Sequence, residues 1–152
     1  MCIRDRLALL AAIGQGATSL IVLGALGGRI DHALANVGLL AHPALAGRPV
    51  ELLDGRSRIT LLQAPTAGAG AVTRPLPGPI GGLVSLIPLG DGVEGISTAG
   101  LRYPLRDEPL ACGPARGLSN VRESPDASVT LLRGRLLVIE SRADEPETPE
   151  GA

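Results

Sequence analysis

The residues best suited to chemistry fall in one ten-residue stretch, Leu23-Gly24-Ala25-Leu26-Gly27-Gly28-Arg29-Ile30-Asp31-His32. A short apolar run, Ser19-Leu20-Ile21-Val22-Leu23, leads into it, and the apolar positions Ile30, Leu34, Val37 and Leu40 that follow keep helical spacing. This is a strand-to-helix turn, the place where an open α/β sheet puts its ligands. Gly27 and Gly28 let the backbone turn sharply and approach a ligand, and the following helix start presents unpaired N–H groups with a partial positive charge. Arg29 adds a planar fork matched to phosphate oxygens, and Asp31 can hold a cation or accept a proton from a hydroxyl. His32, also in the first turn, suits orienting a neighbour at least as well as transferring a proton. The spacing matches neither the dinucleotide nor the P-loop pattern. Taken alone, the stretch is therefore better read as an ordinary strand-to-helix turn with Arg29 and Asp31 in solvent.

The elements that would position these groups divide the chain. Residues 7–13 read as a short helix closed by Gly14 and Gly16, residues 19–23 as a strand covered on both faces, and residues 30–41 as a helix ending at His42-Pro43, with His42 as its cap. That is α/β grammar with one strand of its sheet. After Gly47 the grammar changes. Residues 50–53 and 58–62 flank an Asp54-Gly55 turn, and further short strands are predicted at 70–76, 83–88, 93–98, 115–120, 128–133 and 135–141, with Arg133-Gly134 as the last turn. The predicted fold class is an α/β remnant, the end of a parallel-sheet nucleotide-binding domain, followed by an antiparallel β-sandwich. The expected divisions are residues 1–47, 48–142 and a disordered acidic tail at 143–152, with residues 1–6 read as an artefact outside the fold.

Composition narrows the function classes. With 152 residues, 45% hydrophobic and 19% charged, the chain suits one ordinary domain, or a small domain with part of another, and should bury a core. Tyr103 is the only aromatic residue, so aliphatic side chains must fill that core. Fourteen basic residues, all arginine, stand against 15 acidic ones, which gives −1 and no basic excess for a nucleic-acid surface. Cys2 and Cys112 are too few for a disulfide scaffold and lack metal-ligand spacing, and Cys112 reads as a small hydrophobe. No apolar run reaches membrane-span length, so a cytoplasmic protein without membrane contact is expected.

The string from Gly24 through Gly-Gly-Arg-Ile-Asp-His to Asn36 resembles the signature of thiamine diphosphokinases. Later segments follow in matching order: Val84-Ser85-Leu86-Ile87-Pro88-Leu89, Val93-Glu94-Gly95-Ile96, Gly100-Leu101-Arg102-Tyr103-Pro104-Leu105, and Gly117-Leu118-Ser119-Asn120 before a closing hairpin. The resemblance covers residues 7–141. It implies an α/β domain that binds ATP, a β-sandwich that helps hold thiamine, and a homodimer with active sites between subunits. The implied reaction moves a diphosphoryl group from magnesium–ATP to the thiamine hydroxyl, giving thiamine diphosphate and AMP. By this resemblance Arg29 and Asp31 are catalytic, and Gly28, Arg29, Asp31, His32, Ser119 and Asn120 bind substrate; no residue here is assigned to metal. Two departures stand out. The family's acidic magnesium-binding motifs belong upstream of residue 7, and where some members carry Trp shortly after the Ser-Asn pair, this chain has Val121-Arg122. Without the resemblance, Ser119-Asn120 is a strand-end turn. The rival reading is a non-catalytic β-sandwich module that binds a small ligand or a protein.

Overall fold

The computed structural model describes residues 3–65 and 70–141, so the tail expected at 143–152 lies outside the described residues. Helices α1 (Ile3–Gly14) and α2 (Ile30–Leu39) flank the short strand β1 (Leu20–Leu23), and a single 3₁₀ turn, Pro43–Leu45, leads into the sheet. The strands are β2 (Val50–Asp54), β3 (Ser57–Gln63), β4 (Val72–Pro75), β5 (Leu83–Ala99), β6 (Glu108–Leu110), β7 (Asn120–Val121), β8 (Ser128–Leu131) and β9 (Arg133–Ser141).

These strands form one mostly antiparallel sheet in the order β1-β2-β3-β9-β5-β8-β4, with β6 and β7 also paired to β5. Instead of the two separate sheets of the predicted sandwich, a single sheet curls on itself. The cause is β5. Sequence suggested two short strands at 83–88 and 93–98, but the chain runs extended for 17 residues and changes partners along its length. The register against β9 shifts between Leu89 and Val93, where Gly90 (φ +76°) and Gly92 (φ +105°) adopt left-handed backbone. A Cβ at Gly92 would stand 2.9 Å from the Leu110 carbonyl oxygen, so the bend needs glycine there.

Alternation along β5 then serves two cores. Val84 and Leu86 point into the curl, where they meet Leu76, Ile96, Leu105, Val129, Leu131, Leu136 and Val138. Ile87 and Leu89 face the other way, joining Leu137, Ile59, Leu52 and Val50 under Leu9, Ile13, Val37, Leu40 and Leu45 of the helical segment. Neither cluster contains an aromatic ring, because Tyr103 is exposed.

Several sequence expectations are refined locally. Ile3–Arg6, set aside as an artefact, begin α1. The strand predicted at 115–120 contracts to Asn120–Val121. His42 stands at both junctions: its N–H donates to the carbonyl of Leu39, the last residue of α2, at 2.8 Å, and its Nδ1 caps the 3₁₀ turn that follows by accepting from the Ala44 N–H at 3.2 Å. Cys112 is exposed, so it is not a core side chain. The β2–β3 turn is centred one residue later than expected, on Gly55 and Arg56, with Asp54 opposite Ser57. β1 pairs in parallel with β2, across the division expected at residue 47.

Candidate functional site

Register fixes where the candidate residues stand. Leu23, the last residue of β1, lies opposite Leu53 of β2; Asp54 pairs with Ser57, Ser57 with Ser141, Ser141 with Leu83, and Leu83 with Val121. One end of the sheet therefore carries both the Gly24–His32 turn, which leaves β1, and the Ser119–Asn120 loop, which enters β7. Five strand-to-strand steps separate β1 from β7, about 24 Å on a flat sheet at ~4.8 Å per step. Curl shortens that span.

At the β1 side, Gly28 turns the chain with φ +82°, and Arg29 follows in extended conformation as the N-cap of α2. Arg29 makes no capping bond; instead its Nε and Nη2 donate to the two carboxylate oxygens of Asp31 at 3.1 and 2.6 Å. Asp31 Oδ1 also accepts the His32 N–H at 3.0 Å. The Arg29 hydrogen bond, opposed by slight desolvation and aided by the His32 N–H, holds the Asp31 carboxyl below its ordinary value. Both side chains stay largely in water, at 73% and 57% exposed. Asn36, buried one turn further along α2, donates Nδ2 to the Ala25 carbonyl at 2.9 Å and so fastens the helix to the glycine turn. Sequence reasoning gave Asn36 no role; the signal was its place at the end of the Gly24–Asn36 string.

At the β7 side, Ser119 adopts φ +53°, unusual without glycine, and its N–H donates to Ser85 Oγ at 3.1 Å, leaving the side chain exposed. Asn120 differs from expectation. Its amide is buried and already engaged: Oδ1 accepts from the Tyr103 and Val121 N–H groups, both at 2.9 Å, and Nδ2 donates to the Tyr103 carbonyl at 2.7 Å. Asn120 therefore acts on the backbone of Tyr103, whose ring is 55% exposed beside the loop. Sequence reasoning gave Tyr103 no site role, although it is the chain's only residue among Phe, Trp and Tyr.

Arg122 is likewise not where the comparison with Trp suggested. It is buried, and donates to the carbonyls of Leu76 (2.8 Å) and Pro79 (3.2 Å) and to Glu140 Oε1 (3.0 Å). Arg58 donates twice to the other oxygen of Glu140, at 3.0 and 2.7 Å. These groups wall a cavity of about 490 Å³ between the two candidate sets, with Gly78 and Gly82 packed so closely that a Cβ on either would strike the Arg122 guanidinium.

The structure thus gathers Gly28, Arg29, Asp31 and His32 in one place and Ser119 and Asn120, with Tyr103, in another. No hydrogen bond or ion pair joins the two sets among the described residues. Nor do three or more His, Cys, Asp or Glu side chains converge as metal ligands among the described residues, and none of their helices is long and apolar enough to cross a membrane.

Comparison with known proteins gives a consistent answer. Residues 76–136 match the family described as thiamin pyrophosphokinase, vitamin B1 binding domain. Thiamine pyrophosphokinase 1 of Oryza sativa subsp. japonica is 32% identical over 111 residues, covering 73% of this chain and 40% of that protein. Thiamine pyrophosphokinase from Bacillus subtilis superposes with a TM-score of 0.79 at 23% identity, over 92% of this chain and 63% of the other. A thiamin pyrophosphokinase family protein from Enterococcus faecalis gives a TM-score of 0.75 at 26% identity, with the same 92% and 63% coverage. The chain spans less than half the length of the rice relative and under two thirds of the two bacterial ones. With the ordered motifs, the curled sheet and these matches in agreement, the chain belongs to the thiamine diphosphokinase (thiamine pyrophosphokinase) family.

Proposed function

We propose that the chain forms part of a thiamine diphosphokinase, which transfers a diphosphoryl group from magnesium–ATP to the hydroxyl of thiamine. The observation that carries this reading is the Gly-Gly-Arg-Ile-Asp-His turn standing at the same sheet end as the loop of the matched vitamin B1 binding domain. The thiamine oxygen would attack the β-phosphorus of ATP, forming one O–P bond as the bond to the α-phosphate oxygen breaks and AMP leaves. Magnesium would arrive with ATP as part of the substrate. Among the described residues no three His, Cys, Asp or Glu side chains gather as metal ligands; by the family resemblance, acidic residues upstream of residue 7 would hold the magnesium.

In this reading Arg29 is the switch for Asp31. Free, the two neutralise each other, and an Asp31 held below its ordinary range is a weak base. A phosphate that draws the Arg29 fork to itself returns Asp31 toward the ordinary carboxylate range and frees it to orient the thiamine hydroxyl or take its proton. Gly28 brings backbone close to the phosphates, and His32 fixes Asp31 through its N–H. Ser119 and the Tyr103 ring, held by Asn120, would meet the cationic thiamine, the ring through its π-face.

Parallel pairing of β1 with β2, and apolar side chains left exposed on β1 (Ile21, Leu23) and α2 (Ile30, Leu34), support reading residues 1–47 as the end of an α/β nucleotide-binding domain. The span between the two residue sets supports a homodimer in which one subunit's Asp31 faces the other's Ser119. The test is AMP release from ATP, with and without thiamine, by this chain and by the longest encoded protein containing it. Thiamine-dependent AMP that falls by more than about tenfold in Asp31→Asn, with the fold intact, is expected. Thiamine uptake without AMP in either protein would favour the non-catalytic module.

A further inference from the structure

At the opposite end of the sheet lies a second polar cavity. Its walls take in the first residues of β2 and the last of β3, and Gln63 stands six residues beyond Ser57 on β3, about 20 Å from the end just described at ~3.3 Å per residue. The volume is about 380 Å³, within the range of small-ligand pockets. It sits in the seam between the 3₁₀ turn with its following loop and the sheet.

Its charge is one-sided. Arg48, Arg74 and Arg135 line it, against Glu51 as the acid. Arg74 is half-buried and remains ionised, yet it has no carboxylate within ion-pair distance among the described residues; its hydrogen bond goes to the neutral hydroxyl of Thr60. Loss of water around it weakens its hold on the proton, offset only at longer range by Glu140 and Glu51. Arg48 donates to the Ala44 carbonyl at 3.2 Å, and Arg135 makes no hydrogen bond or ion pair among the described residues. A guanidinium taken partly out of water with no carboxylate in direct contact is costly, and an anion between these forks would recover part of that cost. The rest of the wall is mixed: Leu45 and Leu61 give it an apolar part, and His42, Thr60 and Gln63 add neutral polar groups.

We infer that this seam cavity is a binding site for a small phosphomonoester, its phosphate between Arg74 and Arg135 and its carbon part against Leu45 and Leu61. The site is separate from the Arg29–Asp31 turn and does not depend on the thiamine reading. Because it bridges the helical segment and the sheet, its occupant would tie the two together.

Phenyl phosphate and inorganic phosphate, titrated calorimetrically at constant ionic strength, test it on the whole chain. Wild type and Arg29→Ala should both take up phenyl phosphate saturably, and about tenfold more tightly than inorganic phosphate, since burying the ring adds apolar area. Arg74→Gln/Arg135→Gln should weaken uptake by about tenfold or more, through loss of two charge-assisted partners. If that double variant does not fold, Arg135→Gln alone must still weaken uptake measurably. The inference is overturned by no saturable uptake in wild type, by uptake that Arg29→Ala abolishes, by equal affinity for the two phosphates, or by folded Arg74 and Arg135 variants that bind as wild type does.

Discussion

Glu140 and Asp31 each hold arginine, at opposite extremes of burial. Glu140 is 7% exposed, bonded by Arg58 and by an Arg122 that is only 3% exposed, inside the curled sheet. Asp31 meets Arg29 in open water on the β1–α2 flank. The difference assigns their work. The inner set cannot exchange partners without leaving charge stranded in the interior, so it is architecture. The outer pair separates at little cost and is free to receive a ligand. Apolar side chains divide the same way: Leu86 is 1% exposed within the curl, whereas Leu23 on β1 is 74% exposed.

The largest effect should come from breaking the inner set. Glu140→Ala leaves the Arg58 and Arg122 guanidinium groups facing each other without a carboxylate, and should cost about 3–5 kcal/mol in urea unfolding. A cost below about 1 kcal/mol, the scale of an exposed pair, would erase the distinction between the two arginine sets.

Next is the apolar comparison. Leu86→Ala should cost about 2–5 kcal/mol, because its neighbours Val84, Val138 and Leu136 are fixed by the sheet and cannot collapse into the gap. Leu23→Ala should stay within about 0.5 kcal/mol in dilute solution. It should also reduce self-association by sedimentation, since β1 ends the strand order and its outward side chains Ile21 and Leu23 are uncovered. Equal costs at the two leucines would show that the flank is as closed as the curl.

These two regions were not equally legible from sequence. The hairpin of β2 and β3, the strand β1 and the helix α2 carry local signals, a turn glycine or a clean period, and the structure has them within a residue or two. The curl was not legible, because a strand bent at Gly90, Asp91 and Gly92 looks like two strands until β9 pairs with it on both sides of the bend. Arg29 and Asp31 lie two residues apart, so sequence brought them to one place, although their bond to each other was not read from it. Asn120 meets Tyr103 across 17 residues, and Arg122 meets Glu140 across 18, both distances that only the folded sheet closes. Long-range polar partners are therefore where residue-type reasoning misassigned roles.

Smaller than the core effects, Asn120→Ala should cost about 1–3 kcal/mol, because it leaves the Tyr103 N–H and carbonyl without their partner. The chain supplies its own reporter. Tyr103 is the only aromatic residue, so the anisotropy of its emission should fall as the 101–105 loop loosens. Unchanged anisotropy would mean that the loop is held by other bonds, and that Asn120 is available to a ligand after all.

The smallest effect belongs to the outer pair, and it is read as titration instead of stability. Arg29 holds the Asp31 carboxyl below its ordinary 3.8. The sign follows from that direction: a carboxylate whose folded value is depressed favours the folded state above the unfolded value, and this contribution fades as pH falls through the folded value, below 3.8. Because the pair is solvated, wild type and Arg29→Ala should unfold almost alike on either side of that window, in contrast to Glu140→Ala. Carboxyl carbon shifts followed by NMR should show Asp31 titrating below 3.8 in wild type and moving upward in Arg29→Ala. Phosphate or ATP should produce the same upward movement in wild type, by drawing the guanidinium away. If the nucleotide leaves the Asp31 titration where it was, Arg29 does not leave its partner on binding, and the outer pair is as fixed as the inner one.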